Sequence, residues 1–275
     1  MDVVLRAVLI GMAVAMAGTI PRNIVFAANL RHQSSVPWAV PLVAVYLWFF
    51  WRYLDGAGPP ESTSQERRES LRAQRVSGRQ WAWALTAGGL GIVALVLALR
   101  VANRMVVLPR QSLSELAQVP HATAIALLLM AAPVAGIVEE AAFRGYMQGP
   151  IERRYGLPVA ITITGTMFAL AHLDFTLVLW PYYVVVAALY GTVTSMTRSI
   201  LPAVVLHTVG NLYSNLDLWR NGQAEWQASS SPTTLIWNTG ADGSFWMTSG
   251  AFVVAAAATG WAFHALAGAR RKSSG

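Results

Sequence analysis

The chain reads as an all-α, polytopic membrane protein, a bundle of about eight membrane-spanning helices. Three observations carry that reading. Of its 275 residues 55% are hydrophobic and only 12% charged, where a soluble globular domain carries about a quarter. Mean hydropathy is +0.46. Apolar stretches close to the roughly 20 residues needed to cross hydrocarbon recur along the whole sequence. The absence of cysteine removes disulfides, thiolate metal sites and a cysteine nucleophile. The net charge of +7 resides largely in loops, as membrane topology requires. No aromatic and basic residues interleave as a base-stacking groove would need, so no nucleic-acid partner is expected.

The stretches run 3–20, 37–54, 81–99, 122–147, 157–172, 176–194, 199–215 and 246–267. The first carries Arg6 within it and ends in Ala15-Met16-Ala17-Gly18, a small-residue pattern like a signal-peptidase site. Residues 1–18 are therefore either a span or a cleaved leader, and residue 20 lies outside in both cases. The loop 55–80 is rich in Pro, Gly and Ser and then charged at Glu66-Arg67-Arg68-Glu69. It reads as a solvated loop or short surface helix, with attraction to anionic lipid as the sharper alternative. Placing that loop in the cytoplasm puts both termini there and leaves thirteen basic residues inside against six outside, Arg6 apart. In a prokaryote the location would be the cell membrane. Gly88, Gly89 and Gly91 are read as sites of close helix packing.

The segment from Leu216 to Phe245 is polar, with Trp219, Trp226 and Trp237, and reads as an external loop resting on the interface or as a substrate-gating lid. The organisation is thus 1–121 for the N-terminal spans, 122–215 for a core with chemistry, and 216–275 for the external loop and last span. His32, His121 and His264 are taken as interfacial residues. No internal repeat is found, which weakens an inverted-repeat transporter.

Chemistry enters where Ala122 to Val138, free of charge throughout, gives way to Glu139 and Glu140, with Arg144 after them. Charge near the bilayer centre costs roughly 2.5–3.5 kcal/mol per residue on insertion scales, so it is kept for a reason. On a helix Glu140 and Arg144 share a face and pair. Glu139 points about 100° away and has no local cation, which leaves it free to react. Two later spans carry further polar residues: Phe168 and His172 lie one turn apart, as do His207 and Asn211. Buried polar groups need partners, and the cheapest are one another. Depth fits for Glu139 and His207. His172 lies about 10 Å too far out at 1.5 Å per residue, a mismatch that a re-entrant turn over Leu173–Phe175 would repair.

A converging set of Glu139, His172, His207 and Asn211 suits hydrolysis. A glutamate beside a histidine activates water, and a neutral imidazole with an amide donates to an oxyanion. The same Glu139, His172 and His207 are also a ligand set for Zn2+, although no His-Glu-x-x-His run is present. No Gly-x-Ser-x-Gly elbow marks a serine nucleophile. A proton- or solute-coupled transporter with these residues as a relay is the rival from another class, and a catalytically idle immunity or scaffold protein is a third.

The three motifs, Glu139-Glu140-Ala-Ala-Phe-Arg144, Phe168-x-x-x-His172 and His207-x-x-x-Asn211, resemble in order and spacing those of the CPBP family, the CAAX prenyl endopeptidases and the Abi or bacteriocin-processing proteins. The resemblance covers about 122–215. It implies an intramembrane endopeptidase with an eight-helix core and a cavity opening toward the cytoplasm. It further implies that Glu139 activates water with His172 beside it, that His207 and Asn211 bind the oxyanion, and that Glu140 supports the first carboxylate. Arg144 pairs with Glu140, and Phe168 supports the histidine. A metal-free, glutamate-dependent mechanism is expected, in a family long called metalloproteases. The expected partner is a membrane-anchored peptide or protein. Prenylated tails, bacteriocin leaders and other membrane stubs are not distinguished by these residues.

Overall fold

A computed structural model describes residues 2–32, 35–108, 119–172, 177–221 and 234–271. Among them there are helices and no strands. The long helices are α1 (Val3–Arg31), α2 (Ala39–Leu54), α4 (Gly78–Met105), α5 (His121–Glu139), α7 (Leu157–Ala171), α8 (Trp180–Thr197), α9 (Leu201–Asn221) and α11 (Gly243–Arg271). Short helices α3 (Ser64–Leu71), α6 (Gln148–Tyr155) and α10 (Ile236–Thr239) lie between them. Each apolar stretch overlaps a helix among the described residues. Four continuous helical runs, 3–31, 78–105, 121–155 and 243–271, are long and apolar enough to cross a membrane, and 39–54 and 157–171 are apolar but shorter. The protein is an integral membrane protein.

The first helix is longer than the sequence suggests. It passes through Pro21 to Arg31 instead of ending at residue 20. Proline removes the bond to the carbonyl four residues back, here that of Ala17, and the Tyr46 hydroxyl of α2 donates to that same oxygen. The break is thereby repaired from outside the helix. One face of residues 3–18 packs on the core: Ala7, Gly11 and Gly18 are buried, and a Cβ on Gly18 would lie 2.4 Å from Val138 Cγ1. Arg6 sits near the start of this helix. It pairs with Glu66 of α3 at 2.8 Å on the exposed end of the bundle.

The loop 55–80 is more ordered than a solvated connection. Arg67 is buried and donates to the carbonyls of Tyr53 at 2.9 Å, Gly58 at 2.8 Å and Pro60 at 3.1 Å. The segment is then fastened to the core. Arg72 pairs with Glu152 of α6 at 3.0 Å. The Ile200 N–H donates to the Arg72 carbonyl at 3.0 Å, and Ser199 Oγ donates to the Gln74 carbonyl at 2.7 Å.

Two other expectations shift. Gly88 and Gly91 meet Leu206 and Leu189, where an added Cβ would lie within 2.4 Å, but Gly89 has nothing within 4 Å. The polar segment after Leu216 begins as helix, since α9 runs to Asn221 and carries Trp219 against His121, ring centroids 5.5 Å apart. Trp226 lies outside the described residues. Trp237 donates to the Met105 carbonyl at 2.7 Å, so this part of the chain leans on the end of α4. Beside it, Arg104 and Asp242 pair at 3.0 Å, and Trp83 meets Trp261 edge-on at 5.2 Å, which fixes α11 antiparallel along α4.

Candidate active site

The helix carrying the carboxylates changes pitch at them. Residues Glu140–Met147 are π-helical, between α5 and α6. A π turn holds one extra residue and is frequent at functional sites. Pro150, just beyond, has no N–H to give to the Tyr146 carbonyl, which favours a local departure from α geometry. All eight π residues are buried. Across from them α5 and α9 touch closely at Gly136, where an added Cβ would lie 2.2 Å from Thr208 Oγ1. This approach brings His207 to the two glutamates.

Glu140 and Arg144 pair at 3.2 Å with side chains 0% and 1% exposed. The geometry is that of an ion pair without a hydrogen bond, for none of the three guanidinium nitrogens has a hydrogen-bond partner among the described residues. The guanidinium instead lies over the rings of Phe168 at 4.7 Å and Tyr190 at 5.5 Å. Cation–π contact of this kind strengthens as water is excluded. His207 Nδ1 lies 2.8 Å from Glu140 Oε1, and its Nε2 lies 3.7 Å from Glu139 Oε2. The second distance is too long for a direct hydrogen bond and short enough for both groups to contact one water. Glu139 Oε2 has no hydrogen-bond partner among the described residues. The nearby cation is not local in sequence: Arg22 of α1 acts on Glu139 electrostatically.

His172 caps α7. Its Nδ1 lies 2.8 Å from the Phe168 carbonyl. A carbonyl only accepts, so Nδ1 carries the proton, and Nε2 of the neutral ring is an acceptor. Tyr183 stacks on this ring at 4.3 Å and 29°, and Tyr190 stacks on His207 at 5.1 Å and 22°. The two tyrosines are seven apart on one face of α8. His172, His207 and Asn211 line one cavity of about 180 Å³, with both tyrosines and Phe168 in its wall. The Asn211 amide makes no hydrogen bond among the described residues.

The expected residues therefore meet in two groups that share His207. Glu139, Glu140, Arg144 and His207 form the charged group, and His172, His207 and Asn211 the cavity group. Glu139 does not line the cavity; it approaches His207 from α5. The cavity continues along α9 to Ser214 and to Leu179 and Tyr182 at the start of α8. It thus runs away from the end at which residues 55–77 pack, contrary to an opening on that side. At that end Tyr146 donates to the Arg67 carbonyl at 3.1 Å, and Leu71 is fully buried in the same apolar cluster. The turn over Leu173–Phe175 lies outside the described residues. Among the described residues no three His, Asp or Glu side chains are grouped to hold a metal ion.

Sequence reasoning missed Arg22, Tyr183 and Tyr190. Arg22 lay beyond the supposed end of the first span, and tyrosines inside an apolar stretch carry no signal of their own.

Residues 121–213 match the sequence model of a family described as type II CAAX prenyl endopeptidase, Rce1-like. The matched stretch is similar to that family and takes in all three motifs, from His121 at the start of α5 to Tyr213 on α9. No curated protein and no solved structure matches the chain.

Proposed function

We propose that the protein is an intramembrane endopeptidase that hydrolyses a peptide bond near the C-terminus of a membrane-anchored peptide or protein. The observation that carries this reading is the family match over a segment whose Glu139, Glu140 and His207 lie in mutual reach. Glu139 takes a proton from water, and the oxygen adds to the scissile carbonyl carbon. His172 Nε2, an acceptor, orients that water. The oxyanion receives hydrogen bonds from the Asn211 amide and from His207. His207 lies against Glu140 through Nδ1; where Nδ1 is the donor, Nε2 donates as well only in the doubly protonated ring. Glu139 then passes its proton to the leaving nitrogen as the C–N bond breaks. Glu140 holds His207, and Arg144 balances Glu140.

The test is cleavage of a lipid-anchored CAAX-type peptide by the protein in proteoliposomes. A general base contributes about 10²–10⁴-fold, so Glu139→Gln is expected to lose at least about a hundredfold in kcat. Equal cleavage by wild type, Glu139→Ala and His207→Ala would end the proposal. Running the assay with farnesylated and unmodified peptides reads substrate class separately from mechanism.

A further inference from the structure

The end of the bundle at which residues 55–77 pack holds a second, larger recess of about 1230 Å³, and it shares no lining residue with the cavity at the histidines. Its lining has two characters. One wall is the apolar face of the first turns of α1, with Val3, Ile10 and Val14, and α1 is one of the helices able to cross a membrane. The floor and rim are basic, with six arginines against three glutamates. Part of that charge is already matched. Arg6 pairs with Glu66, Arg72 pairs with Glu152, and Arg67 is consumed by backbone carbonyls. Arg153 of α6 and Arg198, between α8 and α9, are exposed and have no acidic partner among the described residues.

We propose that this recess binds the phosphate headgroup of an anionic lipid, held by Arg153 and Arg198, with an acyl chain along the apolar face of α1. Guanidinium suits phosphate because its fork of donors matches two phosphate oxygens at once. A soluble phosphate would satisfy the arginines and leave the hydrocarbon wall bare, whereas a lipid satisfies both. An acidic peptide would match the charge but gains nothing from a wall continuous with a membrane-crossing helix. The charged 55–80 segment thereby acquires a role beyond solubility: it supplies one rim of a lipid site, separate from the chemistry at Glu139.

The experiment uses the full chain in neutral detergent, with lipid retention read by native mass spectrometry and unfolding read by thermal shift. Phosphatidylglycerol, phosphatidylcholine and inorganic phosphate are the three probes. Phosphatidylglycerol is expected to be retained at least tenfold over phosphatidylcholine and to raise the unfolding temperature, with phosphate alone doing neither. Each basic side chain at a membrane surface contributes about a fivefold gain in anionic lipid binding. Arg153→Gln with Arg198→Gln should therefore weaken retention roughly 25-fold. Lysine at both positions should recover most of it, and the unfolding temperature in phosphatidylcholine should stay unchanged. Arg31→Gln, which removes one arginine charge at the other end of α1, should leave retention intact. Equal retention of both lipids, or equal loss in Arg31→Gln, overturns the site. Stabilisation by inorganic phosphate equal to that by phosphatidylglycerol overturns the lipid assignment.

Discussion

Nδ1 of His207 lies 2.8 Å from Oε1 of Glu140, and Arg144 Nη1 lies 3.2 Å from the same oxygen. One buried carboxylate thus serves a cation from its own helix and an imidazole from α9. Removing one member of a buried pair leaves an uncompensated charge, at a cost of about 3–5 kcal/mol. Glu140→Gln and Arg144→Met are each expected to destabilise the protein by that amount. The double variant should lose less than the sum. Denaturant unfolding of the four proteins in detergent measures the coupling, and strict additivity would mean that the pair is not coupled.

Tyr190 packs flat on His207 and under the Arg144 guanidinium. Its role is therefore read as positioning the ring. Aromatic pairs of this kind contribute about 0.5–1.5 kcal/mol. Tyr190→Phe should keep near-normal turnover, and Tyr190→Leu should lower kcat up to about tenfold with KM little changed. A change confined to KM would instead assign Tyr190 to substrate binding.

Gly136 and Gly89 make opposite predictions from the same substitution. Alanine at 136 drives a methyl into Thr208 and pushes α9 off α5, an overpacking that costs about 1–3 kcal/mol and separates His207 from both glutamates. Alanine at 89 meets nothing and gains helix propensity, up to about 1 kcal/mol. Thermal unfolding and peptide cleavage together check both. Intact cleavage in Gly136→Ala would show that the α5–α9 approach is not what sets the site.

At the far end of α4, the Arg104 side chain and the Phe245 N–H hold Asp242 below the usual carboxylate range, the arginine contributing most. A lowered folded value means that the stabilisation is fully present above the ordinary carboxylate range and is lost as pH falls through the folded value. The contact between α4 and α11 should therefore weaken progressively as pH falls from the ordinary carboxylate range through the lowered folded value. Asp242→Asn should remove that acid-sensitive step from an unfolding titration and leave the rest of the curve in place.

The proposed hydrolysis routes no step through a metal. Turnover should survive a strong chelator at concentrations that strip zinc, while Glu139→Gln stays inactive. Loss of activity with recovery on adding Zn2+ would return Glu139, His172 and His207 to the role of ligands.

Much of this arrangement is legible in the sequence because the bilayer makes polar residues expensive. Glu139, Glu140, His172, His207 and Asn211 stand out against apolar surroundings, and a spacing of four predicts the Glu140–Arg144 pair directly. What the sequence does not disclose depends on contacts between distant helices. The Arg22 approach to Glu139 needs α1 to continue past Pro21, and that continuation rests on a hydroxyl from Tyr46. The bond from His207 to Glu140, not a free imidazole, arises from the π turn, which no composition or periodicity announces. The contact of Tyr146 with Arg67 at one end likewise depends on a loop whose polarity alone reads as solvent-facing.

The stitching of residues 55–77 has a consequence for biogenesis. Its carbonyls at Arg72 and Gln74 receive their donors from Ile200 and Ser199, which leave the ribosome more than a hundred residues later. Until then those two carbonyls lack these donors, and the 72–74 end of the segment stays more open to proteases than the part that Arg67 ties down. Its resistance to cleavage in a pulse-labelled chain is therefore a timestamp for the moment α8 and α9 take their places.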